Sequence, residues 1–369
     1  MRRISLAWRV AAVVVLGSTA ARAQLPLLVE GIADAEFWST TARSNLLTRN
    51  GGHAAPLGRL QMWAAFEPIR RFVIYGQGEI ETGDASRVLL GKSYYAAADQ
   101  YGVRITAARA LVIDAGRLAP VLGTFAQRRF SNRNPLIGGP DAYTLDYPHG
   151  VMVSGEAKHF DYRAAMVTLP ASHAGYTPNP TPRMRPVVGG GFTPVVGVRL
   201  GASYTAGPYL NNSYTPTQLR DAAWHSFNQR VLAWDASFAR GYLETRFEGG
   251  WGSYDVPGRA DAISGSTYYG EAKYTFTPRF FVAGRAERNR YPFIRAFGNN
   301  WTARVTDFVN GELGVGYRVT ASTLVKTTVR GDRWWVAPNA TGFLGQGGGA
   351  FAVQVSQSFD VMGWVERDR

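Results

Sequence analysis

The feature that most constrains this chain is a strict alternation of apolar and charged residues, repeated in segment after segment. Over residues 303–317, Ala303, Val305, Val309, Leu313, Val315 and Tyr317 share one face, with Asp307 the exception, and Arg304, Thr306, Asn310, Glu312 and Arg318 share the other. The next segment sets Val325, Thr327 and Val329 against Lys326, Thr328, Arg330 and Asp332. A period of two is the signature of an extended strand, whose side chains point alternately to opposite faces. A soluble sheet buries its apolar face and wets the other with mixed polar residues. Repeated rows of charge instead fit a sheet closed around water, with its apolar face turned to lipid.

The same pattern recurs. Val29, Ala33, Ala35 and Phe37 oppose Glu30, Asp34 and Glu36; Leu243, Phe247 and Trp251 oppose Glu244, Arg246 and Glu248; Tyr268, Ala272, Tyr274 and Phe276 oppose Glu271 and Lys273; Phe351, Val353, Val355 and Phe359 oppose Gln354, Ser356 and Ser358. Connections of two kinds separate the strands. Seven are short, around Pro68, Ala107, Asp161, Thr193, Gly241, Pro278 and Ala321. Eight are longer, near 40–56, 82–92, 119–149, 170–183, 207–227, 252–265, 289–302 and 334–348. Strict alternation of short and long predicts an all-β transmembrane antiparallel β-barrel of about 16 strands, with short periplasmic turns and long outer loops. Alternation is poorest near 162–169 and 184–190. Aromatic residues gather at strand ends, among them Phe160, Tyr242 and Tyr317 by the short turns and Tyr94, Trp251 and Trp335 by the long loops, as expected of interfacial girdles.

The first residues define where such a barrel works. Arg2 and Arg3, the apolar run from Val10 to Leu16 and the small-residue pattern Ala21-Arg22-Ala23 read as a secretory signal peptide over 1–23, cleaved near Ala23. The expected barrel domain is therefore 24–369, in the outer membrane of a Gram-negative bacterium. Its first strand begins too soon after Gln24 to leave space for a plug domain. The formal charge of +13 falls to +9 without the leader's four arginines, but the basic residues are scattered among acids, which argues against a nucleic-acid partner. There is no cysteine, so thiolate metal sites and Cys nucleophiles are excluded. The histidines, His53, His149, His159, His173 and His225, stand singly, with no metal-binding or hydrolase spacing. No catalytic residue, metal or cofactor is expected, and the chain reads as no enzyme.

The longest connection, 119–149, resembles in length and position the third loop of the 16-stranded general and phosphate-selective porins of Gram-negative bacteria, which folds into the barrel and narrows the pore. The final strand, closing on Phe359, also resembles the C-terminal strand of outer-membrane barrels, although a tail containing Trp364 follows it. The resemblance is architectural and carries no residue motif. It implies passive diffusion of small hydrophilic solutes, a homotrimer, and contact with outer-membrane lipid. A flat wall at Gly197, Gly201 and Ala202 offers one packing surface for a neighbour. Other roles stay open, including a non-conducting barrel serving as adhesin, export component or scaffold, and a barrel hydrolase.

Within that loop Arg128, Arg129 and Arg133 place three cations with no acid before Asp141, while Pro135, Gly138, Gly139 and Pro140 supply bends. A cationic constriction favours anions. The same arginines could instead pin the loop to lumenal carboxylates such as Glu79, Glu244 or Glu271. Arg304, Lys326 and Arg330 join them as candidate selectivity residues on the wall, within a wider lumenal set that includes Arg104, Lys158, Arg199, Arg246 and Arg285. Charges on that wall are expected to pair across strands.

Overall fold

A computed structural model describes residues 27–41, 54–83, 94–124, 128–140, 147–168, 183–209, 226–297, 300–335 and 347–361, with backbone alone at 291–306 and 334. The leader at 1–23 and the tail at 362–369 with Trp364 lie outside these, as do His53, His173 and His225.

Sixteen strands form the wall: β1 (Leu27–Thr40), β2 (Ala54–Ile69), β3 (Phe72–Thr82), β4 (Tyr94–Ala108), β5 (Leu111–Arg117), β6 (His149–Ala157), β7 (Phe160–Val167), β8 (Arg185–Val195), β9 (Val198–Pro208), β10 (Asn228–Arg240), β11 (Leu243–Tyr254), β12 (Ile263–Thr275), β13 (Phe280–Phe297), β14 (Asn300–Arg318), β15 (Thr323–Trp335) and β16 (Gly347–Asp360). Each strand pairs antiparallel with its sequence neighbour, and β1 closes the ring on β16 from Glu30↔Asp360 to Thr40↔Ala350. Closure leaves no sheet edge, which is what a hydrocarbon surrounding demands of a spanning sheet.

Sidedness follows the alternation. Asp34, Glu36, Glu248, Glu271, Asn310, Glu312, Lys326, Thr328 and Arg330 are buried on the inner face, while Phe37, Phe247, Trp251, Tyr268, Leu313, Val315 and Val329 are exposed on the outer one. Rings at the short-turn end pack on one another outside the wall: Phe160 stacks on Phe192 at 4.8 Å, and Phe276 contacts Tyr274 and Phe280.

Four details differ from the sequence reading. Pro68, Ala107, Asp161 and Thr193 lie within β2, β4, β7 and β8; the turns that follow β6 and β8 are Lys158–His159 and Val196–Gly197, where Lys158 (φ 53°) and Gly197 (φ 89°) take the left-handed conformation that reverses the chain. Lys158 is consequently exposed in a turn and has no place on the lumenal face. Gly201 does not belong to an outer packing surface, because a side chain there would run into the Asp235 carboxylate inside the barrel. The segment 289–302 is not a long loop: β13 and β14 remain paired from Phe280↔Tyr317 to Phe297↔Asn300.

The wall is accordingly uneven in height. β5, β6 and β7 have 7, 9 and 8 residues, whereas β13 and β14 have 18 and 19. The described part of the third connection leaves β5 at the low side.

Candidate functional site: a loop docked in the lumen

The connection after β5 turns into the barrel and meets two kinds of surface. Its first part is apolar. Leu118, Val121 and Leu122 are buried in one cluster with Ala165 and Val167 of β7, Val187 of β8, and Val231 and Ala233 of β10, with Met152 of β6 packed against it. These inward positions of β7 and β8 are apolar because they face the loop rather than water, and this is why their alternation is faint in the sequence.

Beyond this patch the contacts become polar. The Thr124 backbone N–H and hydroxyl both donate to Glu248, at 2.9 and 2.5 Å, and Tyr269 donates to the same carboxylate at 2.7 Å. Arg128 donates to Glu271 at 2.9 Å and to the Tyr269 hydroxyl at 3.2 Å. Burial opposes its charge, but the carboxylates of Glu271 and Glu248 outweigh that and hold the guanidinium above its ordinary pKa. Arg129 is ion-paired to Asp99 of β4 and lies 4.9 Å over the Tyr147 ring. Phe130 packs on Trp63 of β2 at 5.5 Å.

The loop then reaches the tall side. Lys326, wholly buried on β15, donates to three loop carbonyls, Ser131 at 2.8 Å, Asn134 at 3.0 Å and Leu136 at 2.9 Å. An ammonium has three donors and no acceptor, so this environment uses its full capacity. Gly138 donates its N–H to Glu312 at 3.0 Å and accepts from Arg285 at 2.6 Å, while Arg285 also pairs with Glu312 at 2.7 Å and Glu271 at 3.2 Å. A side chain at 138 would start 2.8 Å from a Glu312 oxygen, so glycine is what lets the backbone come this close. Arg330 reaches the Gly139 carbonyl at 3.5 Å and Glu287 at 4.0 Å.

Much of the remaining lumenal wall neutralises itself. Arg59 lies among Asp34, Glu36 and Glu81, Arg199 between Asp161 and Asp235, and Lys273 against Glu244. No family model matches the chain, and no curated protein does. Solved structures do. OmpF of Salmonella typhi, in a complex with daunomycin, superposes with a TM-score of 0.61 at 12% identity over 90% of this chain and 97% of that one. The trimer form of OmpT, an outer membrane protein of Vibrio cholerae, gives 0.58 at 10% over 90% and 99%. A structure described as porin gives 0.50 at 12% over 90% and 100%. The fold is that of the porins.

Within this porin-type barrel the candidate selectivity residues separate. Arg128 and Arg129 are 12% and 8% exposed at the side chain and are tied to wall carboxylates. Lys326 and Arg330 hold the loop from beneath. Arg133 alone of the three loop arginines is exposed, stacked at 5.9 Å over Phe130. Arg304 stands opposite Phe293 in the β13–β14 register, eight residues along β14 from Glu312, on the order of 26 Å at the usual rise. Its side chain lies outside the described ones.

Of the three suggested carboxylate partners, Glu271 binds a loop arginine, Arg128. Glu79 accepts from Gln61, and Glu244 from Lys273 and Arg246. The partner that alternation overlooked is Asp99. The β3–β4 register slips there, Gln77 pairing with Gln100 and Gly78 with Ala98, so Asp99 is the extra residue of a bulge and its side chain is re-aimed inward. Among the described histidines, His149 shares a 2.8 Å hydrogen bond with Tyr101, and His159 one of 2.9 Å with the Thr193 carbonyl. No cluster that could hold a metal occurs among the described residues.

Proposed function

We propose that this protein is a porin of a Gram-negative outer membrane, passing small hydrophilic solutes by passive diffusion with a preference for anions, and that it is not an enzyme. The observation that carries the reading is the docked loop: a water-facing, charge-lined barrel narrowed from within by a segment that is fastened to its wall. The positive mean charge favours anions, and the exposed Arg133 is the loop arginine best placed to act on a passing ion. The other two contribute less, their side chains being largely buried.

A homotrimer belongs to the reading. β5, β6 and β7 have 7 to 9 residues, and a tilted strand needs about 9–11 to cross the hydrocarbon, so the low side of the wall is better covered by protein than by lipid. One observation favours a non-conducting barrel instead: the loop touches β2 and β4 as well as β11 to β16, and so reaches across the lumen. Reconstitution into planar bilayers separates the two. Stepwise conductance with an anion-directed reversal potential in a salt gradient is expected; folded protein without conductance supports the closed barrel, and cation selectivity refutes the anion preference.

A further inference from the structure

Between the docked loop and the short turns β12–β13 and β14–β15 lies a cavity of about 90 Å³, roomy against the roughly 30 Å³ a water occupies in the liquid. Its wall includes Arg133 of the loop, Lys273 and Thr275 of β12, Arg279 of the turn and Arg318 at the end of β14, and, among the described residues, no carboxylate. The charge is arranged unlike that of the rest of the lumen. Arg59, Arg199 and Arg285 each lie against two or more acids. Arg279 and Arg318, by contrast, are held side by side across the hairpin, where the Arg318 N–H donates to the Arg279 carbonyl at 2.7 Å. Among the described residues neither has an ion-pair partner; the Arg318 guanidinium gives one bond, to the Ala321 carbonyl at 3.2 Å.

Like charges at neighbouring cross-strand positions cost stability. A shared anion would reverse that cost, and guanidinium forks match the oxygens of phosphate-type anions. Lys273 adds an ammonium whose bond to Glu244, at 2.8 Å, uses one of three donors. The lining residues Lys273, Thr275 and Arg318 continue the inward rows of Glu271 on β12 and Glu312 on β14, so the cavity opens to solute in the lumen and not to lipid headgroups outside.

We propose that this cavity is a binding site for a small multivalent oxyanion of the phosphate class, held chiefly by Arg279 and Arg318 and closed over by Arg133. The inference rests on a water-filled lumen, as the porin reading has it, but it concerns equilibrium binding and not flux.

Calorimetric titration of inorganic phosphate into the detergent-folded full chain at low salt tests it. One saturable site per chain is expected, with affinity falling roughly tenfold in the R279S/R318S variant as charge-assisted bonds are lost and unchanged in R109S, whose exposed arginine lies at another turn. The heat-modifiable band of each variant verifies the closed barrel, and should the double variant fail to fold, R133S takes its place with a smaller weakening of roughly threefold. Absence of saturable binding to the wild type, or undiminished binding to folded variants, overturns the proposal. Displacement of phosphate by dispersed phosphatidylglycerol would also overturn it, by moving the site to the lipid side. Phosphate binding in a protein without conductance would refute the porin reading and leave the site standing.

Discussion

On its low side the barrel receives the loop with Ala165, Val167, Val187 and Val231; on its tall side, with Lys326, Glu312, Arg285 and Arg330. The apolar contact is undirected and tolerates sliding, since its strength follows area rather than orientation. The polar contact is directional and leaves buried charge if it is broken. One side therefore draws the loop in, and the other decides where it stops.

Breaking the tall side should have the larger effect. Replacing Lys326 by Met leaves three buried carbonyls without their donor, a loss of roughly 3–5 kcal/mol in loop docking by analogy with broken buried ion contacts. Trypsin should then cut at Arg128, Arg129 or Arg133 in the folded barrel, and single-channel conductance should rise. Resistance to cleavage equal to the wild type would show that the apolar side holds the loop alone.

Weakening the low side comes next. Changing Leu122 to Ala should cost about 2–3 kcal/mol, lowering the temperature at which the barrel unfolds in detergent while Arg128 to Gly138 stay protected from trypsin. Cleavage there as well would mean that the two halves dock as one unit.

Selectivity sharpens the contrast further. R133S should shift the anion-to-cation permeability ratio on the order of twofold, more than R128S and R129S together, because Arg133 is exposed while the other two are largely buried. Substituting all three by Ser should move the reversal potential toward cation permeability and leave the barrel folded. An equal shift from each single variant would contradict the assignment. The smallest effect belongs to R109S, whose pair with Glu156 is exposed; stability should stay within about 0.5 kcal/mol of the wild type.

The wall was legible in the sequence wherever lumen meant water. Residues 303–318, Asp307 apart, and 323–332 alternate, and their register follows that alternation. β7 and β8 were faint because their inward residues meet Leu118 and Val121 in place of solvent. The tall β13–β14 hairpin was hidden by Asn289, Pro292 and Asn299, which read as loop residues when no partner strand is in view. Asp99 was hidden by a bulge, which breaks the parity that alternation counts.

By itself, then, the sequence determined a closed sheet with charge inside and a long third connection, because the faces of a strand are set by residues two apart in the chain. Which charges meet was decided by the tertiary structure alone. Lys326 and the Ser131 carbonyl are 195 residues apart, and Thr124 and Glu248 are 124. Such pairs depend on how far the ring is sheared and how deep the loop sinks, and no local period records either quantity.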